Sequence, residues 1–261
     1  MNVVFLGGGR ITAAMLAGLR LAKTKHHLVV HDCNPEKMRA LKKPREIAVE
    51  PDLERAVSRA DLLLIAVRPN SVVDLLRTIG KVNRPLLAVS VAAGVPLRIL
   101  TKALDSPVRW ARAMPSPVCR SGRGLTAVTF PRTLPMKDRR YVRELFAGFG
   151  PVVEIPESKF DAFTVTYSCS HGYHALAALA QAAQEAGLDR KTALLASAHA
   201  LADGIVAWRE GSDSLEALLE EAATPGGIAA TTAAAMGAAG YQRAVHKGVA
   251  AGLGKARANA R

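Results

Sequence analysis

Asn2-Val3-Val4-Phe5-Leu6-Gly7-Gly8-Gly9-Arg10-Ile11-Thr12 is the stretch that decides the fold. The apolar run from Val3 to Leu6 reads as a buried strand, and a helical pattern over 11–22 begins directly behind the glycines. Strand, glycine turn and helix in that order make a G-x-G-x-x-T version of the dinucleotide-binding loop. Gly7 permits the tight turn, and Gly9 lets the backbone approach a pyrophosphate. The helix start at Arg10 and Ile11 supplies N–H groups and the positive end of a dipole. Thr12 stands where glycine or alanine is usual, which predicts a helix packed slightly further from the strand.

Outward from this loop, short β-rich runs alternate with helical patterns through the first 110 residues or so. Strands are expected at 3–6, 28–31, 47–49, 62–67, 86–90 and 108–111, with helices at 11–22, 35–41, 52–58, 71–79 and 97–104. That alternation predicts a doubly wound parallel sheet. Strands at 125–130 and 152–155, with a helix near 138–149, complete it. Asp32 ends the second strand, 25 residues after Gly7. A carboxylate there accepts hydrogen bonds from a ribose and repels a 2′-phosphate, which favours NAD over NADP. Lys37, Arg39 and Arg10 offer a competing phosphate site, and Asp32 also fits an N-cap ahead of Pro35-Glu36. The choice between NAD and NADP stays open.

From about Glu157 the alternation stops, and alanine-rich helical patterns take over at 163–186, 190–209 and 215–223, with two more after Gly227. Gly187 and Gly211 read as helix ends, with new N-caps at Asp189 and at Ser212 or Asp213. The expectation is an α/β Rossmann-type N-terminal domain over 1–156 plus an all-α C-terminal dimerisation domain over 157–261. Helices so apolar all round need more partners than one small bundle offers, which predicts burial in a homodimer or a higher oligomer.

Composition narrows the function class. Hydrophobic residues make up 49% and charged residues 22% of 261, an ordinary globular balance. Cys33, Cys119 and Cys169 are odd in number and lack ligand spacing, so neither a disulfide framework nor a metal site is expected, and a reducing cytoplasm fits. No signal-peptide pattern and no 18-residue apolar run is present, which predicts no membrane span. The net charge of +13 invites an anionic partner. Its basic residues are scattered, however, and the set His246, Lys247, Lys255, Arg257 and Arg261 reads as the solvated face of a last helix. A nucleic-acid partner is therefore not expected.

The chain resembles the pyrroline-5-carboxylate reductases, which reduce a cyclic imine to proline. The resemblance rests on the order and spacing of Gly7-Gly8-Gly9, Ala66-Val67-Arg68-Pro69, Ser90-Val91-Ala92-Ala93-Gly94-Val95, Arg112-Ala113-Met114-Pro115, Gly124 with Thr126, and Pro225-Gly226-Gly227. It implies that Ala66, Val67, Arg68 and Pro69, with Ala92, Ala93 and Gly94, lie beside the ribose and nicotinamide, Arg68 standing for the family's lysine. It also implies that Thr224, Gly226 and Gly227 hold a substrate carboxylate in a dimer whose active sites are built by two subunits. Departures fall at Gly9-Arg10-Ile11, at Met114-Pro115-Ser116-Pro117-Val118, at Ser168-Cys169-Ser170-His171-Gly172-Tyr173-His174 and at Thr224-Pro225-Gly226-Gly227-Ile228-Ala229. In the last, Thr224 keeps the first hydroxyl and Ala229 loses the later one.

Independently of the resemblance, Gly226 and Gly227 before a helix can present successive backbone N–H groups to an anion. A protonated cyclic imine is already electrophilic, so positioning against the nicotinamide can suffice. Candidate catalytic residues are Thr224, His171 and Tyr173, with Ser170 among the substrate-binding residues. His171 or Tyr173 could protonate nitrogen or orient the substrate, and both also fit a helix-start or surface role. His199 and His246 read as packing histidines, and Trp110 and Trp208 as core or interface anchors. The expected partner is a small imino acid. Two alternatives stand beside reduction of 1-pyrroline-5-carboxylate: another imine or carbonyl on the same scaffold, and a non-catalytic basic binding protein.

Overall fold

The computed structural model describes residues 1–42 and 47–260, so Arg261 of the C-terminal basic set lies outside the described residues. In chain order the N-terminal part runs β1 (Asn2–Leu6), α1 (Arg10–Leu21), β2 (His27–His31), α2 (Pro35–Lys42), β3 (Ala48–Val49), α3 (Leu53–Ser58), β4 (Leu62–Ile65), α4 (Val72–Ile79), β5 (Leu86–Ser90), α5 (Leu97–Ala103), β6 (Val108–Met114), β7 (Thr126–Thr129), α6 (Met136–Ala147) and β8 (Val152–Glu154). The strands form one sheet in the order β3-β2-β1-β4-β5-β6-β7-β8. Every pairing is parallel except β6 with β7, which run antiparallel, so the expected parallel sheet is mixed at that point.

Both faces of the sheet are covered, which is why its strands are apolar at nearly every position. Side chains alternate across β1. Val3 and Phe5 point to one layer with Met15, Leu16, Phe146 and Phe149. Val4 and Leu6 point to the other with Leu63, Ile65, Leu76 and Trp110. Each such side chain contributes about 1.5–3 kcal/mol on burial. Trp110 is a core anchor, its indole N–H donating to the Leu104 carbonyl at 2.8 Å.

The helical part comprises α7 (Glu157–Thr166), α8 (Ser170–Glu185), α9 (Arg190–Glu210), α10 (Leu215–Ala222), α11 (Ile228–Ala238) and α12 (Tyr241–Asn259). The single helix expected over 163–186 is thus two, α7 and α8. Its break at 167–169 follows from Tyr167, whose hydroxyl accepts the Leu125 N–H at 2.7 Å and ties the end of α7 to the chain before β7. Asp189 caps α9 as expected, accepting from Lys191 and Thr192. The cap of α10 is Ser214, which accepts the Ala217 N–H, in place of the expected Ser212 or Asp213.

The chain divides into two compact units, one of residues 1–167 with 251–261 and one of residues 168–250. The boundary expected at 156/157 falls at the start of α7. In the second unit α8 packs on α9, and Ala180, Ala193 and Ser197 are its buried residues. Among the described residues no helix is long and apolar enough to cross a membrane.

Candidate functional site

The strand order reverses between β1 and β4, and a doubly wound sheet binds its ligand at that switch point, outside the carboxyl ends of the strands. The expected cofactor residues gather there. Gly7 has φ +109°, and a Cβ on it would lie 2.6 Å from the Ala66 carbonyl oxygen, so the loop runs directly along the end of β4. β4 itself ends at Ile65, two residues short of the expected strand, which leaves Ala66 and Val67 as loop. Thr12 is fully buried, and its hydroxyl donates to the Gly7 carbonyl at 2.5 Å. The residue that departs from the usual small one is therefore a strut across the glycine turn.

Asp32 is 6% exposed and serves this loop. Its Oδ2 accepts the Gly8 N–H at 2.7 Å and its Oδ1 accepts the Asn34 N–H at 2.8 Å. Lys37 Nζ sits 3.2 Å from Oδ2. The cap of α2 is Asn34, whose side-chain oxygen accepts the Glu36 N–H, so the capping alternative for Asp32 is set aside. Burial alone would raise the Asp32 pKa. The Gly8 and Asn34 N–H groups and Lys37 outweigh it and hold the carboxyl below its ordinary range.

The loop fits a pyrophosphate on two counts. A Cβ on Gly9 would meet nothing within 4 Å, so open space lies in front of it. α1 starts at Gly9 with no side-chain cap, which leaves its first-turn N–H groups, at Arg10 and Ile11, for a ligand. Arg68 is exposed and leads into a single 3-10 turn, Pro69–Ser71. The turn at 92–94 is held differently. Gly94, at φ +72°, has the Ala256 carbonyl oxygen 2.4 Å from where a Cβ would stand, and the Ala93 carbonyl accepts from Asn259 Nδ2 at 3.3 Å.

The candidates of the second unit lie on its surface. Ser170 opens α8 with its hydroxyl 2.7 Å from that of Ser168, and His171 and Tyr173 are exposed in the same first turn. Thr224 is exposed between α10 and α11. Gly226 has φ +76°, and the Gly227 N–H donates to the Thr224 carbonyl at 2.9 Å. The turn therefore does not present two successive free amides as expected. The first-turn N–H groups of α11, whose N-cap Gly227 offers no side-chain cap, are the amides left without an intrahelical partner there. His199 is exposed and pairs with Asp203 at 2.9 Å, and His246 is exposed too, so neither is a packing histidine within one chain. Among the described residues no group of three His, Cys, Asp or Glu could hold a metal ion.

Sequence reasoning missed a buried polar cluster. Arg112 on β6 is 1% exposed, and its Nη1 donates to Glu157 Oε1 at 2.9 Å. Asp161 lies 3.7 Å away, and the guanidinium sits 4.3 Å over the Phe160 ring. The same Glu157 oxygen accepts the Leu97 N–H at the start of α5. Arg112 stood in a quoted motif, but nothing in its neighbours announced carboxylates 45 and more positions away.

Fold and loop together define a Rossmann-type dinucleotide-binding fold with an appended helical region. Residues 2–94 match the family model for NADP oxidoreductase, coenzyme F420-dependent, and residues 157–259 match that for pyrroline-5-carboxylate reductase dimerisation. The pyrroline-5-carboxylate reductase of Thermus thermophilus is 33% identical over 77% of this chain and 77% of its own length. That of Synechocystis sp. is 28% identical over 94% and 93%. The 1-pyrroline-5-carboxylate reductase of Streptococcus pyogenes superposes with a TM-score of 0.91 at 21% identity, covering 99% of this chain and 98% of that one. The Plasmodium falciparum pyrroline carboxylate reductase with NADP bound gives 0.89 at 21%, covering 100% and 98%. This chain belongs to the pyrroline-5-carboxylate reductase family.

Proposed function

We propose that the chain reduces 1-pyrroline-5-carboxylate to L-proline with a reduced nicotinamide dinucleotide. Family membership, at 33% identity to the Thermus thermophilus enzyme, carries this reading, and the open space before Gly9 agrees with it. The bound nicotinamide supplies hydride to the imine carbon. The chain's own part is to bind and orient: the Gly7–Gly9 turn and the start of α1 take the pyrophosphate, and the turn at 92–94 lines the nicotinamide half. In the helical unit, Thr224 and the first turn of α11 take the substrate carboxylate. His171, Tyr173 and Ser170 orient the ring, whose protonated imine needs no strong acid.

Both cofactors serve. Asp32 spends its oxygens on Gly8 and Asn34, and Lys37 balances its charge, so its repulsion of a 2′-phosphate is weakened. The domains are those of the sequence reading, 1–156 for the cofactor and 157–261 for the substrate and the dimer. The active form is a homodimer, supported by the dimerisation model over 157–259 and by the exposed apolar residues of the helical unit. Three free thiols suit the cytoplasm.

Oxidation of NADH and of NADPH in the presence of 1-pyrroline-5-carboxylate tests the reading. Turnover with either supports it, and none with both overturns it. A second reading, another imine or carbonyl substrate, is favoured by Ala229, which lacks a hydroxyl, and by the Gly227 amide already bonded to Thr224. A panel of cyclic imines and 2-keto acids separates the two.

A further inference from the structure

We propose that Asn259, at the end of α12, is a positioning residue for the nicotinamide half of the cofactor, acting through the backbone turn at 92–94. The inference rests on the cofactor reading above and deepens it.

In a doubly wound sheet the strands on one side of the switch point serve the adenosine half and those on the other side the nicotinamide half. Asp32 follows β2, on the adenosine side. β5 lies on the other side, next to β4, so the turn that follows it borders the nicotinamide half.

That turn carries no long side chain at Ala92, Ala93 or Gly94, so whatever it offers a ligand is backbone, and its usefulness depends on how firmly the backbone is held. It is held at each end and in the middle. At the start, Ser90 Oγ accepts the Ala92 N–H at 3.3 Å. At the far end, Glu157, paired with Arg112, accepts the Leu97 N–H at 2.9 Å. In the middle, the last turn of α12 closes on it: Asn259 donates to the Ala93 carbonyl, and the Ala256 backbone leaves no room for a side chain at Gly94. Asn259 is 166 positions from Ala93 and is the side chain that reaches the turn's midpoint. A donor there fixes the tilt of the Ala93 carbonyl, and hence that of the next peptide.

The test measures binding to the full chain by isothermal titration, without substrate. The ligands are NADPH and NADH, with 2′-phospho-ADP-ribose and ADP-ribose, which keep the adenosine and pyrophosphate and lack the nicotinamide. Asn259→Ala removes one hydrogen bond and should weaken the reduced cofactors about fivefold while leaving their nicotinamide-free counterparts unchanged. Asn259→Asp keeps the shape but cannot donate, so it should weaken them at least as much, and kcat should fall with it. A space-filling role predicts the reverse, with Asn259→Asp close to wild type. Equal loss for both ligand types, no loss for either, or a large drop in melting temperature in both variants overturns the proposal. Wild-type protein that binds none of the four ligands overturns the cofactor reading itself, and the role of Asn259 with it.

Discussion

The two compact units bury themselves to different degrees. In residues 1–167 the sheet has an apolar layer on each face, and buried charges are matched: Arg112 with Glu157 and Asp161, Asp32 with Lys37. In residues 168–250 the helices are regular, and α9 and α10 carry side-chain caps, yet Leu195 is 58%, Leu219 61% and Ile228 88% exposed. The first unit is a finished fold within one chain. The second has secondary structure without a core of its own, and its exposed apolar sides are the ones the proposed homodimer would cover.

The variant expected to act most strongly attacks that contrast. Leu195→Arg on α9 puts a charge on the exposed apolar side and should turn the dimer into monomer at micromolar concentration, costing on the order of 3 kcal/mol of association or more. Sedimentation velocity reads the change, and nucleotide binding by the first unit should survive it. A dimer unchanged by the substitution would mean that this side of α9 is not the covered one.

Gly9→Val tests the other unit. The open space around Gly9 lets the fold accept the side chain, so the melting temperature should move by only a few degrees. Nucleotide affinity should fall by a hundredfold or more, about 3 kcal/mol, because the side chain fills the pyrophosphate's place. Unchanged affinity would remove the loop from the site.

Asp32→Ser should weaken NADH and NADPH alike, by roughly tenfold, since Asp32 holds the Gly8 amide. A clean switch towards NADPH would mean that contact with the ribose outweighs the strut. The same carboxylate sets a pH dependence. Its folded pKa is lowered, so its contribution is complete above the unfolded value of about 3.9 and is lost as pH falls through the lowered one. Thermal melts from pH 6 down to pH 2 should show a step that Asp32→Ser lacks.

The smallest effect belongs to the helical unit. Thr224→Ala should raise KM for a carboxylated imine by about fivefold, near 1 kcal/mol, with kcat changed less and cofactor affinity unchanged. A wild-type KM would move the carboxylate contact to the segment at 168–174.

Much of this was legible in the chain because it is local. Val3 to Leu6 reads as a strand covered on both faces, since only such a strand is apolar at each position, and β1 is that strand. Gly7 takes a positive φ that other residues rarely adopt, so its place before a helix pattern names the turn. Asp189 capping α9 is a contact between residues two and three apart. The break at 167–169 was not legible, because Tyr167 ends α7 through a partner 42 positions away.

The sequence by itself therefore determined the order of elements, the glycine loop and the change from α/β to all-α, each of which depends on spacing within a dozen residues. The tertiary structure alone decided what the polar residues do. Asp32 holds the Gly8 amide and leaves the capping of α2 to Asn34, Arg112 found its carboxylates on α7, and Asn259 reached the Ala93 carbonyl. A hydrogen bond depends on a few tenths of an ångström between groups that only the packed sheet brings together, and no periodicity along the chain records that distance.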